Sequence, residues 1–269
     1  MRDEAQHSPT ATARPAPDPS VMIAMRNVAK SFGPKNVLVD VSLEAPRGQS
    51  VVIIGGSGTG KSVTIKSIIG LLEPDAGEIW VDGVRVDRRK RGDALLARFG
   101  MLFQGGALFD SLPVWENVAF RLRQDKTKTA ADCKEIAVEK LRRVGLKPET
   151  ADLFPAELSG GMQKRVGVAR AIAADPEIIF FDEPTTGLDP IMSGVINELI
   201  RELVVEIGAT AMTITHDMSS VRAIADRVAM LHEGVIQWEG PVSEIDSTLN
   251  PYVRQFVQGL AEGPIEAVR

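Results

Sequence analysis

The apolar positions of this chain switch repeatedly between two spacings. Val21–Val28 and Val37–Ala45 carry them at strand spacing, with a turn marked by Gly33-Pro34. Ser50–Ile54 is a short apolar run ending in glycines, the pattern of a buried strand. Lys61–Leu72 moves to helical spacing through Val63, Ile65, Ile68, Ile69 and Leu72, and Glu73-Pro74-Asp75-Ala76-Gly77 stops it. Glu78–Val81 predicts a strand closed by Asp82-Gly83, and Met101–Phe103 a short strand leading to Gln104. From Val114 to Val144 the pattern is helical and rich in charge, and Gly161–Ala174 is helical again. Ile178–Asp182 and Thr210–Thr215 predict buried strands on either side of a long amphipathic helix, Ile191–Ile207. Val228–Leu231 and Val235–Trp238 predict a hairpin around Glu233-Gly234, and Tyr252–Gly259 a last helix.

This alternation predicts an α/β protein with a mainly parallel sheet covered by helices. The first two strands and the Glu78–Val86 region form an antiparallel β part, and residues 105–174 a helical lobe. Met1 to Ser20, rich in Pro, Ala and polar residues, predicts a disordered tail. One domain then covers residues 21–245, followed by a C-terminal extension, 246–269, and no long internal repeat is present.

Composition narrows the class. No apolar run approaches the ~18 residues of a membrane span, and the N-terminus has early acids and no stretch of signal-peptide type. The chain therefore reads as cytoplasmic, with membrane contact through a partner. The single cysteine, Cys133, excludes an intrachain disulfide and a Cys-based zinc site, and its surroundings are those of an ordinary helix residue. A net charge of -5 argues against a nucleic-acid binder that relies on a basic surface.

The sharpest local motif is Gly55-Gly56-Ser57-Gly58-Thr59-Gly60-Lys61-Ser62, a phosphate loop between a predicted strand and a predicted helix. Its glycines let backbone N–H groups turn towards phosphate oxygens, and the helix start adds positive potential. Lys61 would bridge the β- and γ-phosphates, and Ser62 would ligate Mg²⁺. Downstream, Ile178–Asp182 ends in Asp182-Glu183. Acids at a strand end are usually just solvated, but a phosphate loop upstream gives them a partner in chemistry.

Leu158-Ser159-Gly160-Gly161-Met162 lies between those two motifs. With it there, the chain resembles the ATP-binding-cassette (ABC) ATPases over roughly Val21 to Gly240. The resemblance implies a P-loop NTPase fold, an active ATPase using ATP and Mg²⁺, and a homodimer. In that family the Leu-Ser-Gly-Gly segment reaches the γ-phosphate held by a partner, so Ser159, Gly160 and Gly161 would complete the other copy's site. The chain's own nucleotide would lie on Gly55, Gly56, Ser57, Gly58, Thr59, Gly60, Lys61, Ser62 and Val63. Asp182 would hold Mg²⁺ through water, and Glu183 would be the general base. His216 matches the family's switch histidine, and Gln104 its Q-loop glutamine, which contacts Mg²⁺ and the attacking water. Asp189, in Gly187-Leu188-Asp189-Pro190, would couple the two sites. Phe32 sits where the family stacks an aromatic on adenine; read from the residue alone, it is equally a core phenylalanine.

Two further stretches resemble the ATPases of Mla-type phospholipid transporters, which work with MCE-domain proteins. They are Phe103-Gln104-Gly105-Gly106-Ala107-Leu108-Phe109-Asp110-Ser111-Leu112 with Trp115-Glu116-Asn117-Val118, and the tail from Val253 to Pro264. This resemblance implies a motor on the cytoplasmic face of the inner membrane, under an MlaE-like permease dimer. An MlaB-like STAS-domain protein and an MCE protein would be further partners, and phospholipid the cargo between the membranes of a diderm envelope. Read physically, Phe109, Leu112 and Trp115 either line a groove for a permease helix or pack the lobe's own core. The tail either docks on its own domain or reaches the other subunit. The five basic residues from Arg85 to Arg91 form a solvated loop or meet anionic headgroups. Competing readings are a motor for another solute, a soluble ABC protein acting on nucleic acid or ribosomes, and a nucleotide-gated scaffold without turnover.

Overall fold

A computed structural model describes residues 15–86, 93–124 and 127–266. Its elements run β1 (Val21–Phe32), β2 (Lys35–Pro46), β3 (Ser50–Ile54), α1 (Lys61–Ile68), β4 (Ala76–Val81), β5 (Val84–Arg85), α2 (Asp93–Leu96) and β6 (Phe99–Leu102). Then come α3 (Val114–Val118), α4 (Ala130–Arg143), α5 (Gly160–Ala171), β7 (Ile178–Asp182), α6 (Pro190–Ile207) and β8 (Thr210–Ile214). The chain closes with α7 (Met218–Ile224), β9 (Arg227–His232), β10 (Val235–Pro241) and α8 (Pro251–Gln258).

All ten strands join one sheet in the order β5-β4-β1-β2-β10-β9-β3-β8-β7-β6. One half, β9-β3-β8-β7-β6, is parallel throughout. The other half, β5-β4-β1-β2, is antiparallel. The hairpin β9–β10 joins the halves: β9 runs parallel to β3, and β10 touches β2 at Val235 and Asp40. Its turn residues Glu233 and Gly234 both have positive φ (48° and 73°), as a two-residue hairpin turn requires.

The central strands β3 and β8 are buried at every residue, because helices cover both faces of a parallel sheet. Strand alternation sorts their side chains into two cores. Val52, Ile54, Ile179 and Phe181 face Val166 and Ile172 of the α5 region and Ile196 and Ile200 of α6. Val51, Ile53, Ile178, Phe180, Met212 and Ile214 face the other way, with Ile65 and Ile68 of α1 and the apolar face of β1 and β2. Among the described residues no helix is long and apolar enough to cross a membrane.

Several local expectations are corrected. The helix expected over Lys61–Leu72 ends at Ile68, because Gly70 turns the chain at φ 78° and leaves Leu71 exposed. The strand expected at Met101–Phe103 is β6, so Phe103 lies beyond it and is exposed. The helical pattern from Val114 to Val144 breaks in two. A capping box at Thr129 and Asp132 starts α4 afresh (Thr129 N–H to Asp132 Oδ2 2.8 Å, Asp132 N–H to Thr129 Oγ1 3.2 Å). Cys133 is buried in α4 beside Ala137 and Leu141, as an ordinary core residue. Of the tail expected to be disordered, residues 15–20 are held: Arg26 donates to Pro15 O (2.6 Å) and Arg47 to Pro19 O (2.7 Å). The basic run from Arg85 lies mostly outside the described residues; Arg85 itself pairs with Glu78 at 3.1 Å. At the other end, residues 259–266 fold back on α8, where buried Gln255 exchanges hydrogen bonds with Ile265 N (2.7 Å) and O (2.9 Å).

Candidate nucleotide-hydrolysis site

The loop between β3 and α1 opens onto a cleft of about 450 Å³ lined by Val37, Ser57, Gly58, Gly60, Lys61, Ser62, Val63, Gln104, Asp182, Glu183 and His216. Parallel strands put these groups together: β3, β6, β7 and β8 all end on this side, so residues distant in sequence meet at one edge. Gly55 is required by close approach. Its φ is 153°, and a Cβ there would meet Leu231 O at 2.2 Å. Thr59 Oγ1 braces the loop by donating to Gly56 O at 3.0 Å. Lys61 Nζ folds back to Gly55 O (2.7 Å) and Gly56 O (2.8 Å), so the ammonium is stored on the loop's own carbonyls.

Asp182 and Glu183 face that ammonium from the end of β7. Burial, and then the neighbouring Glu183 charge, push the Asp182 carboxyl above the ordinary aspartate value, against Lys66, Lys61 and Lys164. Burial pushes Lys61 below the ordinary lysine value, against the charges of Glu183 and Asp182. The cleft also gathers oxygen donors: the Ser62 hydroxyl, the Gln104 amide and the Asp182 carboxylate. This all-oxygen set fits Mg²⁺, which takes few protein ligands and fills its shell with phosphate and water.

Glu183 is the most constrained of these residues. Its φ is 50°, in the left-handed region that non-glycine residues rarely enter. Its N–H donates to Ile214 O at 2.9 Å. Its carboxylate lies 3.0 Å from His216 Nδ1 and receives Thr186 Oγ1 (3.1 Å) and Thr215 Oγ1 (3.4 Å). The carboxylate is thereby aimed at the cleft by three side chains, of which the sequence had singled out only His216.

The remaining sequence-predicted residues lie elsewhere. Ser159 and Gly160 are exposed at the start of α5 and do not line the cleft; Ser159 Oγ accepts from Met162 N at 3.3 Å as the helix cap. Asp189 caps α6, accepting from Ile191 N (2.9 Å) and Met192 N (3.0 Å). Its neighbours Leu188 and Pro190 line a second hollow with His216, Thr185, Thr186 and Ser193, in which Asp189 itself has no part. Phe32 ends β1 and is 46% exposed, with Lys30 Nζ 5.7 Å from its ring centre, so it is not a core phenylalanine. The same hairpin contributes Val37 to the cleft, a residue that no sequence signal marked.

A third hollow, about 460 Å³, is apolar and lined by Phe99, Met101, Phe103, Ala107, Phe109, Phe120, Arg121 and Arg170 among others. Of Phe109, Leu112 and Trp115, only Phe109 lines it. Phe109 lines the groove, stacked on Phe120 at 4.6 Å between ring centres. Trp115 instead packs against the core cluster, under the Arg123 guanidinium. Buried Asn117 holds the Phe109 peptide: its side chain accepts from Phe109 N (2.7 Å) and donates to Phe109 O (3.1 Å) and Leu112 O (3.0 Å).

Comparison with known proteins agrees with this geometry. The chain is 41% identical over 247 residues to the "Probable ribonucleotide transport ATP-binding protein mkl" of Mycobacterium leprae (91% of this chain, 71% of that one). It is 40% identical over 246 residues to the "Intermembrane phospholipid transport system ATP-binding protein MlaF" of Escherichia coli K12, covering 91% of each. Among solved structures, the dimeric ATP-binding cassette MJ0796 bound to ADP and Pi superposes with a TM-score of 0.74 at 32% identity, over 82% of this chain and 99% of that one. The family described as ABC transporter matches residues 38–186, and the chain belongs to that family of transporter ATP-binding subunits.

Proposed function

We propose that two copies of this chain hydrolyse ATP with Mg²⁺ between them and drive a membrane permease that moves phospholipid. One observation carries the hydrolytic reading: the Glu183 carboxylate faces the phosphate loop across one cleft, with His216 Nδ1 3.0 Å away. The loop N–H groups hold the phosphates. Lys61 leaves the carbonyls of Gly55 and Gly56 for the β- and γ-phosphates. Ser62, Gln104 and Asp182 would hold the metal. The bound ion supplies charge neutralisation to the phosphoryl group. Glu183 orients the attacking water and takes its proton, while His216, Thr186 and Thr215 keep the carboxylate in place.

The cleft is open to solvent, and Ser159 and Gly160 are exposed and do not line it. A second copy placed head-to-tail supplies a further wall with its own Ser159, Gly160 and Gly161, and Asp189 borders the junction. Phe32 offers its exposed face to adenine. The groove at Phe103, Phe109 and Phe120 is the seat for a permease segment. The subunit then works at the cytoplasmic face of a membrane, reached through that permease; among the described residues no helix is long and apolar enough to cross it. Phospholipid as cargo is favoured by MlaF, whose match covers 91% of both chains. The name of the mycobacterial relative instead says ribonucleotide transport, so cargo is the part of the reading with a rival. Flipping assays on the subunit with its co-purified membrane partner, using labelled phospholipid and labelled ribonucleotide, distinguish the two.

The hydrolytic assignment is tested by Glu183→Gln. That variant should bind ATP, turn over at least ~100-fold more slowly, and accumulate as an ATP-bound dimer in size-exclusion chromatography. Wild-type turnover would overturn it.

A further inference from the structure

Lys164 is a buried charge that none of the roles above uses. It lies in the middle of α5, is 4% exposed, and its Nζ donates to the backbone carbonyl of Glu183 at 3.3 Å. Burial pushes its ammonium below the ordinary lysine value, and the charges of Asp182 and Glu183 oppose that shift. Stability alone does not account for such a residue. Removing an ammonium from water costs several kcal/mol, and an apolar side chain of similar length commonly fills such a place at no loss.

What the lysine touches gives the reason. Glu183 is held at φ 50°, a conformation that costs about 1–3 kcal/mol unless its surroundings enforce it. On the N–H side the enforcement comes from Ile214 O. On the carbonyl side it comes from Thr186 N (3.4 Å), within the same turn, and from Lys164, on a different element. That element is α5. Its first turn is capped by Ser159, and its last turn carries Arg170, which donates to Gly106 O (2.6 Å) and Ala107 O (2.8 Å) just after Gln104. One rigid helix therefore touches the exposed Ser159 segment, the Glu183 peptide and the segment that borders the apolar groove. Ser159 and Lys164 are five positions apart, about 7.5 Å along a helix, so a displacement of one end is felt at the other.

We propose that Lys164 is a positioning residue for Glu183, fixing the glutamate's peptide from α5 so that the carboxylate is aligned only when that helix is in place. This rests on Glu183 being the hydrolytic base. In the native order of events, contact made at Ser159 by a second copy's nucleotide is passed through α5 and the Lys164 ammonium to this chain's own Glu183. Each half-site then reports on the other without a shared side chain. Arg170 extends the same helix to the groove, so a segment seated there acts on the glutamate by the same route.

The test compares Lys164→Met, Lys164→Arg and Glu183→Gln in the full chain, by steady-state ATPase, ATP binding and thermal melting. Lys164→Met should lower kcat at least ~10-fold while leaving KM for ATP within about twofold, as expected when only the alignment of a reacting group is lost. Lys164→Arg, which keeps a cationic donor, should recover most of that loss, with both variants melting near the wild type. A Lys164→Met enzyme with wild-type kcat overturns the proposal, as does equal loss in both variants together with a lowered melting point, which marks a packing role. Turnover retained in Glu183→Gln would instead remove the base assignment beneath it.

Discussion

Asp182 and Glu183 are neighbours in sequence but differ in setting. Glu183 has three side-chain partners, whereas Asp182 faces the cleft with burial and a like charge working against its ionised form. A carboxyl whose folded-state pKa lies above its unfolded value binds its proton more tightly when folded. Its ionisation therefore subtracts from stability as pH rises through the folded-state pKa, and the penalty is absent below the unfolded value near 3.9. Asp182→Asn removes the penalty. The nucleotide-free variant should be more stable than the wild type, with a higher Tm, at neutral pH. The gap should close as pH falls towards the aspartate range, and Mg²⁺-dependent turnover should be lost at every pH. Thermal melts across pH check the first part; a gap that widens on acidification contradicts it. The stability forgone at Asp182 accords with the proposed binding of a cation and a phosphate there.

The elements that sequence spacing revealed are those whose signals are local. β3 and β7 are mostly apolar and β8 is buried throughout because both faces are covered, and the phosphate loop is readable because its glycines cluster in six residues. What could not be read depends on contacts between elements. Phe109 and Trp115 carry the same apolar signal, yet one lines the groove and the other packs on the core, with Asn117 holding the Phe109 peptide. Lys164 carries no signal of its own in the sequence, since nothing in its spacing says that α5 crosses beneath the Glu183 peptide. Likewise Phe32 was undecided until β1 was seen to run to its end at an exposed edge. The split between the two aromatics has a measurable consequence. Trp115→Ala should destabilise the protein by about 1–3 kcal/mol through lost packing. Phe109→Ala should cost about 1 kcal/mol or less, spare basal ATPase, and remove stimulation by the membrane partner. Denaturant melts and ATPase assays with and without that partner read both effects; the reverse pattern would return Phe109 to the lobe's packing.

At the scale of the whole molecule, the cleft and the Ser159 segment are two incomplete surfaces on one body. No bending of a single sheet brings them together: the cleft lies at the strand ends, and Ser159 starts a helix whose later residues are packed in the core. In the proposed dimer, a second copy in head-to-tail orientation would complete both pockets at once, and such two-fold pairing is self-limiting. Separate lesions on one hydrolysis-deficient background test it. Glu183→Gln should dimerise on adding ATP. With Ser159→Phe added, the chain should still bind ATP as a monomer but fail to dimerise, because the bulky ring blocks the other copy's phosphate. With Lys61→Ala added instead, it should lose both ATP binding and dimerisation, because its own pocket is broken. Mixing these two doubly substituted chains leaves one pocket intact in a heterodimer: the phosphate loop of the first against the Ser159 segment of the second. ATP should then recover dimers that neither chain forms alone, at reduced affinity, since one nucleotide now does the bridging of two. Light scattering of the mixture decides the geometry. A parallel arrangement, in which each chain completes its own site, predicts that the mixture behaves as the sum of its parts.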